Sequence, residues 1–416
     1  MGEQQSWDWE IGEKLVTDLN EWKKTHAEVY DEVVSPDGEK MGAIVRDEEG
    51  SLTCSVNGRP WEQTYEKIYS VKFAPDGRLT AITMADDEWT TLVDGVAWEQ
   101  TFEYVWNLRF ASDTNVVAAM VNGDEGYGVC LDGKVWEQGF IQLRDYVISP
   151  DGTRAAASAQ VQELAEGDIA AFQEGVWTVA VDGQAWDRNF VSVWGLAFSP
   201  DGMRVAAEVR LENTVYTIAV NGKVWDTVYG CVWEPCFHPQ TGSVLAPVKT
   251  GSGWVLANNG KDLWGKAFGQ LWRPIFSADG NRIAAVVSPK FGKWTMAVDG
   301  NVWSRTFGDA VCDPVFSLDG KRVAAVVKDK GRWSIGVDGV PWNETFDMVW
   351  PPVFSPDGQK VVAKVERNGK YALALNGKVV GQESDGLYDP VVGPEGDRVL
   401  VKALEGGKYY RRVVSI

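Results

Sequence analysis

A turn of the type Ser-Pro-Asp-Gly recurs along the whole chain. Its acidic position, or its substitute, falls at Asp37, Asp76, Asp113, Asp151, Asp201, Gln240, Asp279, Asp319, Asp357 and Glu395, in steps of 39, 37, 38, 50, 39, 39, 40, 38 and 38 residues. Ten internal repeats confine the chain to an array of small supersecondary units. A period near 40 residues admits a four-stranded propeller blade or a helical HEAT-type pair.

The interior of the repeat decides for strands. Trp333, Ile335 and Val337 alternate with Ser334 and Gly336, and Trp294, Met296 and Val298 alternate with Thr295 and Ala297. Period two is the signature of a strand. Asp338-Gly339 is a hairpin turn, because both residues tolerate positive backbone angles, and it leads into a strand around 342–346. A fourth strand spans 349–355, and its Pro residues suit a terminal position where no ladder donor is required. The run 323–327, apolar on both faces and small in its middle, reads as the innermost strand. On the strand after it one face is large and the other is Ser, Thr, Ala or Gly, so a large face on one blade fits a small face on its neighbour. The expected fold is an all-β propeller of about ten four-stranded blades, with two five-bladed propellers as the alternative.

The chain carries 21 Trp, and their register explains them. Trp61, Trp98, Trp136, Trp186, Trp225, Trp264, Trp303 and Trp342 follow the hairpin Asp or Asn by four or five residues. Trp89, Trp177, Trp254, Trp294 and Trp333 precede that turn by five, with Tyr127, Tyr216 and Tyr371 in the same place elsewhere. Trp106, Trp194, Trp233, Trp272 and Trp350 lie eight residues after the first class. All read as inter-blade packing residues, since an indole buries roughly 150–250 Å² and needs a partner for its N–H. Trp22 precedes Asp37 by 15 residues, as the first class does elsewhere, so the N-terminus is expected to supply the last two strands of a blade. The stretch 410–416 matches the second strand and ends where its hairpin should begin. The two ends then complete one composite blade carrying Trp22 and Tyr410, which removes exposed sheet edges. On this reading 1–17 is an N-terminal extension and 18–416 a single propeller domain.

The run F-S-P-D-G-x-R-[IV]-A, clear at 198–206, 276–284, 316–324 and 354–362, resembles the WD40-like propeller repeat of TolB-type proteins. That resemblance covers nearly the whole chain and implies the fold rather than an activity. The Trp-rich D-G-x-x-W variant, the size and the acidic character are further similar to the TmcD family, the tryptophan-rich subunits of the Tmc transmembrane redox complex of sulfate-reducing bacteria. This second resemblance implies a subunit of an electron-transfer complex whose haems and iron–sulfur clusters sit on other chains.

Forty basic against 59 acidic residues leave a net charge of −19, which disfavours nucleic acid and anionic membranes as direct partners and accommodates a protein with basic patches. No run of 18 apolar residues exists, and 1–16 lacks the apolar core of a signal peptide, so direct membrane insertion is not expected. A cytoplasmic protein is expected, peripheral at the membrane only through partner subunits. The opening M-G-E-Q-Q-S fits the N-myristoylation pattern, a coincidence in a chain read as bacterial.

The catalytic inventory is poor. His26 and His238 occupy registers held elsewhere by turn and surface residues. Cys54, Cys130, Cys231, Cys236 and Cys312 show no C-x-x-C spacing, and the turn aspartates show no D-x-D-x-D spacing. No metal, cofactor or catalytic set is expected. The favoured function is a non-catalytic scaffold or accessory subunit docking to a larger protein assembly. A propeller enzyme of quinoprotein-dehydrogenase type is the alternative, and a tryptophan hopping path for electrons the third reading.

The 50-residue step marks one long irregularity, an insertion at about 158–175. Val161, Leu164, Ile169 and Phe172 suit a short amphipathic turn or helix, while Glu163, Glu166, Asp168 and Glu174 are expected to be exposed. A tolerated surface loop is the plain reading of it. A docking element is the functional one, since loops on rigid scaffolds carry recognition. The candidate docking residues are Glu163, Glu166, Asp168 and Phe172, with Trp7 and Trp9, which fit no register, beside them.

Overall fold

The computed structural model describes residues 6–416, so Gly2 of the myristoylation pattern lies outside the described residues. The chain is all-β, with ten four-stranded blades arranged in a ring as a β-propeller. Two compact units make it up, one of residues up to 79 with 275–416 and one of 80–274.

The blade Ala310–Phe316, Val323–Asp329, Arg332–Val337, Val340–Pro341 shows the common plan, each strand hydrogen-bonded to the next. In the second unit Gln142–Ile148 and Ser192–Phe198, the first strands of adjacent blades, lie against each other. The opposite edge is a strand of only two residues, such as the exposed Gln184–Ala185. The innermost strand is therefore the Trp- and Pro-bearing one, which corrects the assignment of 323–327 to that place. That run is apolar on both faces because it lies second, with a strand on either edge and a blade against either face. The inner strand has one unpaired edge and so tolerates Pro. In three blades it breaks into two short pieces, as at Met348–Val349 and Val353–Phe354 around Pro351 and Pro352. The strand expected at 342–346 shrinks to the pair at 340–341 and a single bridge from Phe346 to Trp333.

Blades are held face to face by apolar packing. Met120, Val129 and Trp136 of one blade meet Leu143, Tyr146 and Ala157 of the next. In the first unit Val326 and Ile335 meet Val349, Ala363 and Ala374. Two further contacts come from the repeat motif. The first-class indole lies beneath the hairpin glycine of the following blade: a Cβ on Gly339 (φ +85°) would stand 3.2 Å from Trp303, and one on Gly377 (φ +84°) 2.8 Å from Trp342. Glycine is required there for the backbone angle and for the room. The Arg of D-G-x-R forms the second contact. Arg322 donates from Nε to Asp338 of its own hairpin (2.9 Å) and from Nη1 to the Gly358 carbonyl of the next turn (3.1 Å). Arg204 reaches Gly242 (2.7 Å) and Lys360 reaches Gly396 (3.0 Å) in the same way.

The chain ends close one blade. Gly12–Asp18 pairs antiparallel with Lys408–Ser415, and the helix Leu19–Thr25 follows. Trp22 on that helix is buried, donates its indole N–H to Thr17 (2.8 Å) and lies under Gly58. The composite blade of Trp22 and Tyr410 is thus present, with two differences. The N-terminus contributes one outer strand rather than two, because Glu28–Val34 opens the next blade. Residues 12–17, read as part of an extension, belong to the closing sheet.

Deleting residues 1–18 strips the outer strand from Lys408–Ser415. Loss of monomer in size-exclusion chromatography and a lowered Tm are expected, and an equally stable, monomeric truncation would show that closure does not need the strand. Trp303→Ala, which empties a buried site between Gly336 and Gly339, should cost about 3–5 kcal/mol in urea unfolding.

Candidate functional site

Each Ser-Pro-Asp-Gly turn consumes its own polar groups. Ser317 Oγ donates to Asp319 (2.7 Å) and accepts the Arg322 N–H (3.0 Å), while Asp319 Oδ1 accepts the Lys321 N–H (3.1 Å). These bonds, the serine's first, hold the Asp319 carboxyl down at about 2. The hairpin aspartates are likewise engaged, as Asp338 Oδ1 accepts the Val323 N–H (2.9 Å). His238 fills such a turn, its Nδ1 accepting the Gln240 and Thr241 N–H groups at 3.2 and 3.3 Å. Among the described residues no group of three His, Cys, Asp or Glu could hold a metal, and no helix is long and apolar enough to cross a membrane.

The innermost strands differ from blade to blade. Most carry a bulge at mid-length, as between Trp106 and Arg109, Trp194 and Ala197, or Cys312 and Val315. The first residue of the bulge then adopts a left-handed conformation, as in Asn107 (φ 57°), Gly195 (φ 51°) and Asp313 (φ 47°). Bulges re-aim side chains beside functional sites. Across from the bulge on the second strand of the same blade, as Met120 pairs with Trp106 and Glu208 with Trp194, is the residue seven beyond the turn acid, which is Ile44, Met120 or Val326 in three blades but Ser158, Glu208, Lys364 and Lys402 in four others.

These four residues meet different surroundings. Ser158 Oγ donates to the Val193 carbonyl of the next blade (3.0 Å). The Lys364 ammonium lies 4.2 Å from the Trp350 ring centroid, 5.7 Å from that of Tyr371 and 3.9 Å from Asp389 of the next blade. Burial lowers the pKa of buried Lys402, and Asp389 and Asp37 oppose that shift. Glu208 is only 9% exposed, and among the described residues no hydrogen-bond donor reaches its carboxylate. Its pKa is raised to about 7, by burial first and by Glu234 of the next blade second.

The expected docking residues fall in two places. Within the insertion, Asp168 caps the helix Ile169–Glu174, accepting the Ala171 N–H (3.0 Å). Ile169 (69% exposed), Leu164 and Phe172 present apolar surface, and Glu163 and Glu166 are exposed beside them. The stem is fixed: Val161 N–H bonds the Val176 carbonyl (3.0 Å), and the backbone of Phe190 leaves no room for a Cβ on Gly175. The Arg210 guanidinium of the next blade stands 6.0 Å from the Phe172 ring. Trp7 and Trp9 stack with centroids 6.2 Å apart on the closing blade. Trp9 lies on Gly393 and its carbonyl accepts from Arg398 (2.6 Å), while Trp7 borders a cleft with Pro36, Pro75 and Arg411. Both are half-buried wedges at the closure. The sequence reading missed Glu208, Lys364 and Lys402, which aligning the repeats on the turn acid would have exposed as charges in an apolar register.

The chain is a β-propeller protein built from ten repeats. No protein-family model and no curated protein matches it. Among solved structures it is similar to a eukaryotic initiation factor at 13% identity, over 86% of this chain and 89% of that one, with a TM-score of 0.45. It is similar to the Dos1 propeller at 10% identity, over 96% and 94%, TM-score 0.36, and to TolB from Acinetobacter baumannii at 12%, over 74% and 78%, TM-score 0.29. The propeller assignment rests on the chain's own ten sheets.

Glu208 makes stability depend on pH in a definite direction. Its folded-state pKa lies above the ordinary 4.5, so the folded state holds the proton longer, and the residue weakens the fold as pH rises from 4.5 towards 7. Glu208→Gln should raise the Tm at pH 8, by up to a few kcal/mol of stability, with the gain fading by about pH 4.5. Thermal melts across that range check it, and a gain independent of pH would contradict it.

Proposed function

We propose that the protein is a non-catalytic accessory subunit that docks to a larger protein assembly, on the cytoplasmic side of a membrane-bound electron-transfer complex. The supporting observation is the insertion: a short helix with exposed Ile169 and Phe172, preceded by a loop with exposed Leu164, Glu163 and Glu166, and displayed on a two-strand stem. An apolar patch rimmed by charge on a rigid blade suits a protein partner, and the acidic rim suits a basic one. The choice of assembly rests on the resemblance to the TmcD family. In that setting the tryptophans are structural, as the fit of Trp303 and Trp342 beneath the following hairpins requires.

Affinity purification of the native protein with mass spectrometry tests the reading. Stoichiometric redox subunits are expected, and a quinone cofactor bound to the isolated chain would favour a propeller dehydrogenase instead. The strand Ala155–Gln160 runs into the expected insertion, so the excess length begins after it; replacing residues 162–175 by a four-residue turn should leave the Tm within a few degrees and deplete the co-purified subunits. Undiminished recovery would place the interface elsewhere.

A further inference from the structure

The repeat allows one blade to serve as the internal reference for another. Between the ninth and tenth blades an ammonium is held by an inner-strand Trp, a third-strand Tyr and a bulge-position carboxylate. These are Trp350, Tyr371 and Asp389, and the ammonium is that of Lys364. Between the fifth and sixth blades the same positions carry Trp194, Tyr216 and Glu234. Trp194 and Tyr216 stack with centroids 6.5 Å apart, as Trp350 and Tyr371 approach to 5.7 Å. The position of Lys364 is taken by Glu208, which pairs directly across from Trp194 in the sheet. The aromatic pair and the carboxylate are therefore retained, the ammonium is gone, and a second carboxylate stands in its place.

Gly195 makes the arrangement possible. It occupies the bulge position held by Asp31, Ser70, Asn107 and Asp313 in four other blades, and a Cβ there would stand 2.9 Å from Glu234 Cγ and 3.4 Å from Glu208 Oε2. Glu234 is exposed, so the pair is open to solvent on that side. A carboxylate buried without a donor beside a second carboxylate is relieved either by taking up a proton or by a cation from outside the chain, and only the cation leaves both carboxylates charged. Indole and phenol faces favour an organic cation over a bare metal ion, since the ring quadrupole attracts ammonium groups.

We infer that Glu208, Glu234, Trp194 and Tyr216 form a binding site for an alkylammonium group, supplied by a free amine or by a lysine side chain of a partner. The site stands independently of the docking role proposed above, because its geometry is derived from the Lys364 arrangement alone.

Selective 15N-indole labelling of the full chain, with Trp194 assigned through Trp194→Phe, allows a direct titration. Butylammonium chloride should shift the Trp194 indole signal saturably, while butanol and sodium chloride at matched concentrations should not. Glu234→Gln, at an exposed position, should weaken the response at least about tenfold, the loss of one charge-assisted contact. Glu208→Lys should rebuild the Lys364 arrangement, so this variant should fold, show a higher Tm than wild type at pH 8 and lose the amine response. A capped Gly-Lys-Gly peptide binding more tightly than butylammonium would identify a lysine as the source, and the reverse order a free amine. No saturable shift with either probe, an equal response to butanol, a response to calcium but not to ammonium, or a destabilised Glu208→Lys would each overturn the inference.

Discussion

The contact on which the structure depends is made between blades, where the outer tryptophan of one lies against the hairpin glycine of the next. A four-stranded blade is apolar on both faces and cannot bury either alone. Face-to-face packing of Val, Ala and Ile fills the middle of each interface, but such packing slides easily because small side chains leave few unique fits. The indole fixes the offset. Trp303 runs along Gly336 and Gly339, and Trp342 lies under Gly377, so the next hairpin has one depth at which its backbone can sit. Arg322, joined on one side to Asp338 and on the other to the Gly358 carbonyl, sets the same offset at the same end of the strands, because Asp338 directly precedes Gly339. D-G-x-x-W and D-G-x-R are thus two halves of one spacing device.

Closure uses different parts. At the joint between the last sheet and the first blade, Gly38 meets Lys402, Arg411 and Tyr409, whereas Gly320 and Gly358 meet the serine of the preceding turn. Tyr409 donates to the Gly38 carbonyl (3.0 Å) and Arg411 Nε to that of Asp37 (2.9 Å), which replaces the forward reach of the repeat arginine. Trp9 on Gly393 and Trp7 near Pro36 then cover the irregular seam. Their lack of register follows from this, since they serve a joint that occurs once.

The period, the strand alternation, the hairpins and the closing partnership of the two ends were legible because each is written in local spacing. The order of strands within a blade was not. A run such as 323–327 satisfies an innermost position and a second position equally well by apolarity, and only the bulge and the Pro of the neighbouring strand separate them. Gly12–Asp18 was missed for another reason: its GEKLVTD sequence is mostly exposed, and its pairing partner lies at the far end of the chain. The insertion was legible as an interruption of the period, whereas Glu208 and Lys364 were hidden inside it, because a charge is visible as anomalous only once its register is known to be buried.

That distinction bears on where function sits in a repeat protein. Residues that recur in every blade answer to packing, so the tryptophans and turn aspartates carry little information about activity. Residues that break a buried register carry more, because desolvation penalises each charged substitution unless something offsets it. Asp389 offsets Lys364 within the chain, and nothing within the described residues offsets Glu208. The Arg210 guanidinium stands 5.9 Å from Tyr216 and 6.0 Å from Phe172 of the insertion, so one side chain borders both the insertion and the Trp194–Tyr216 pair. The two departures from the repeat in this unit, one of length and one of charge, therefore meet at a single arginine.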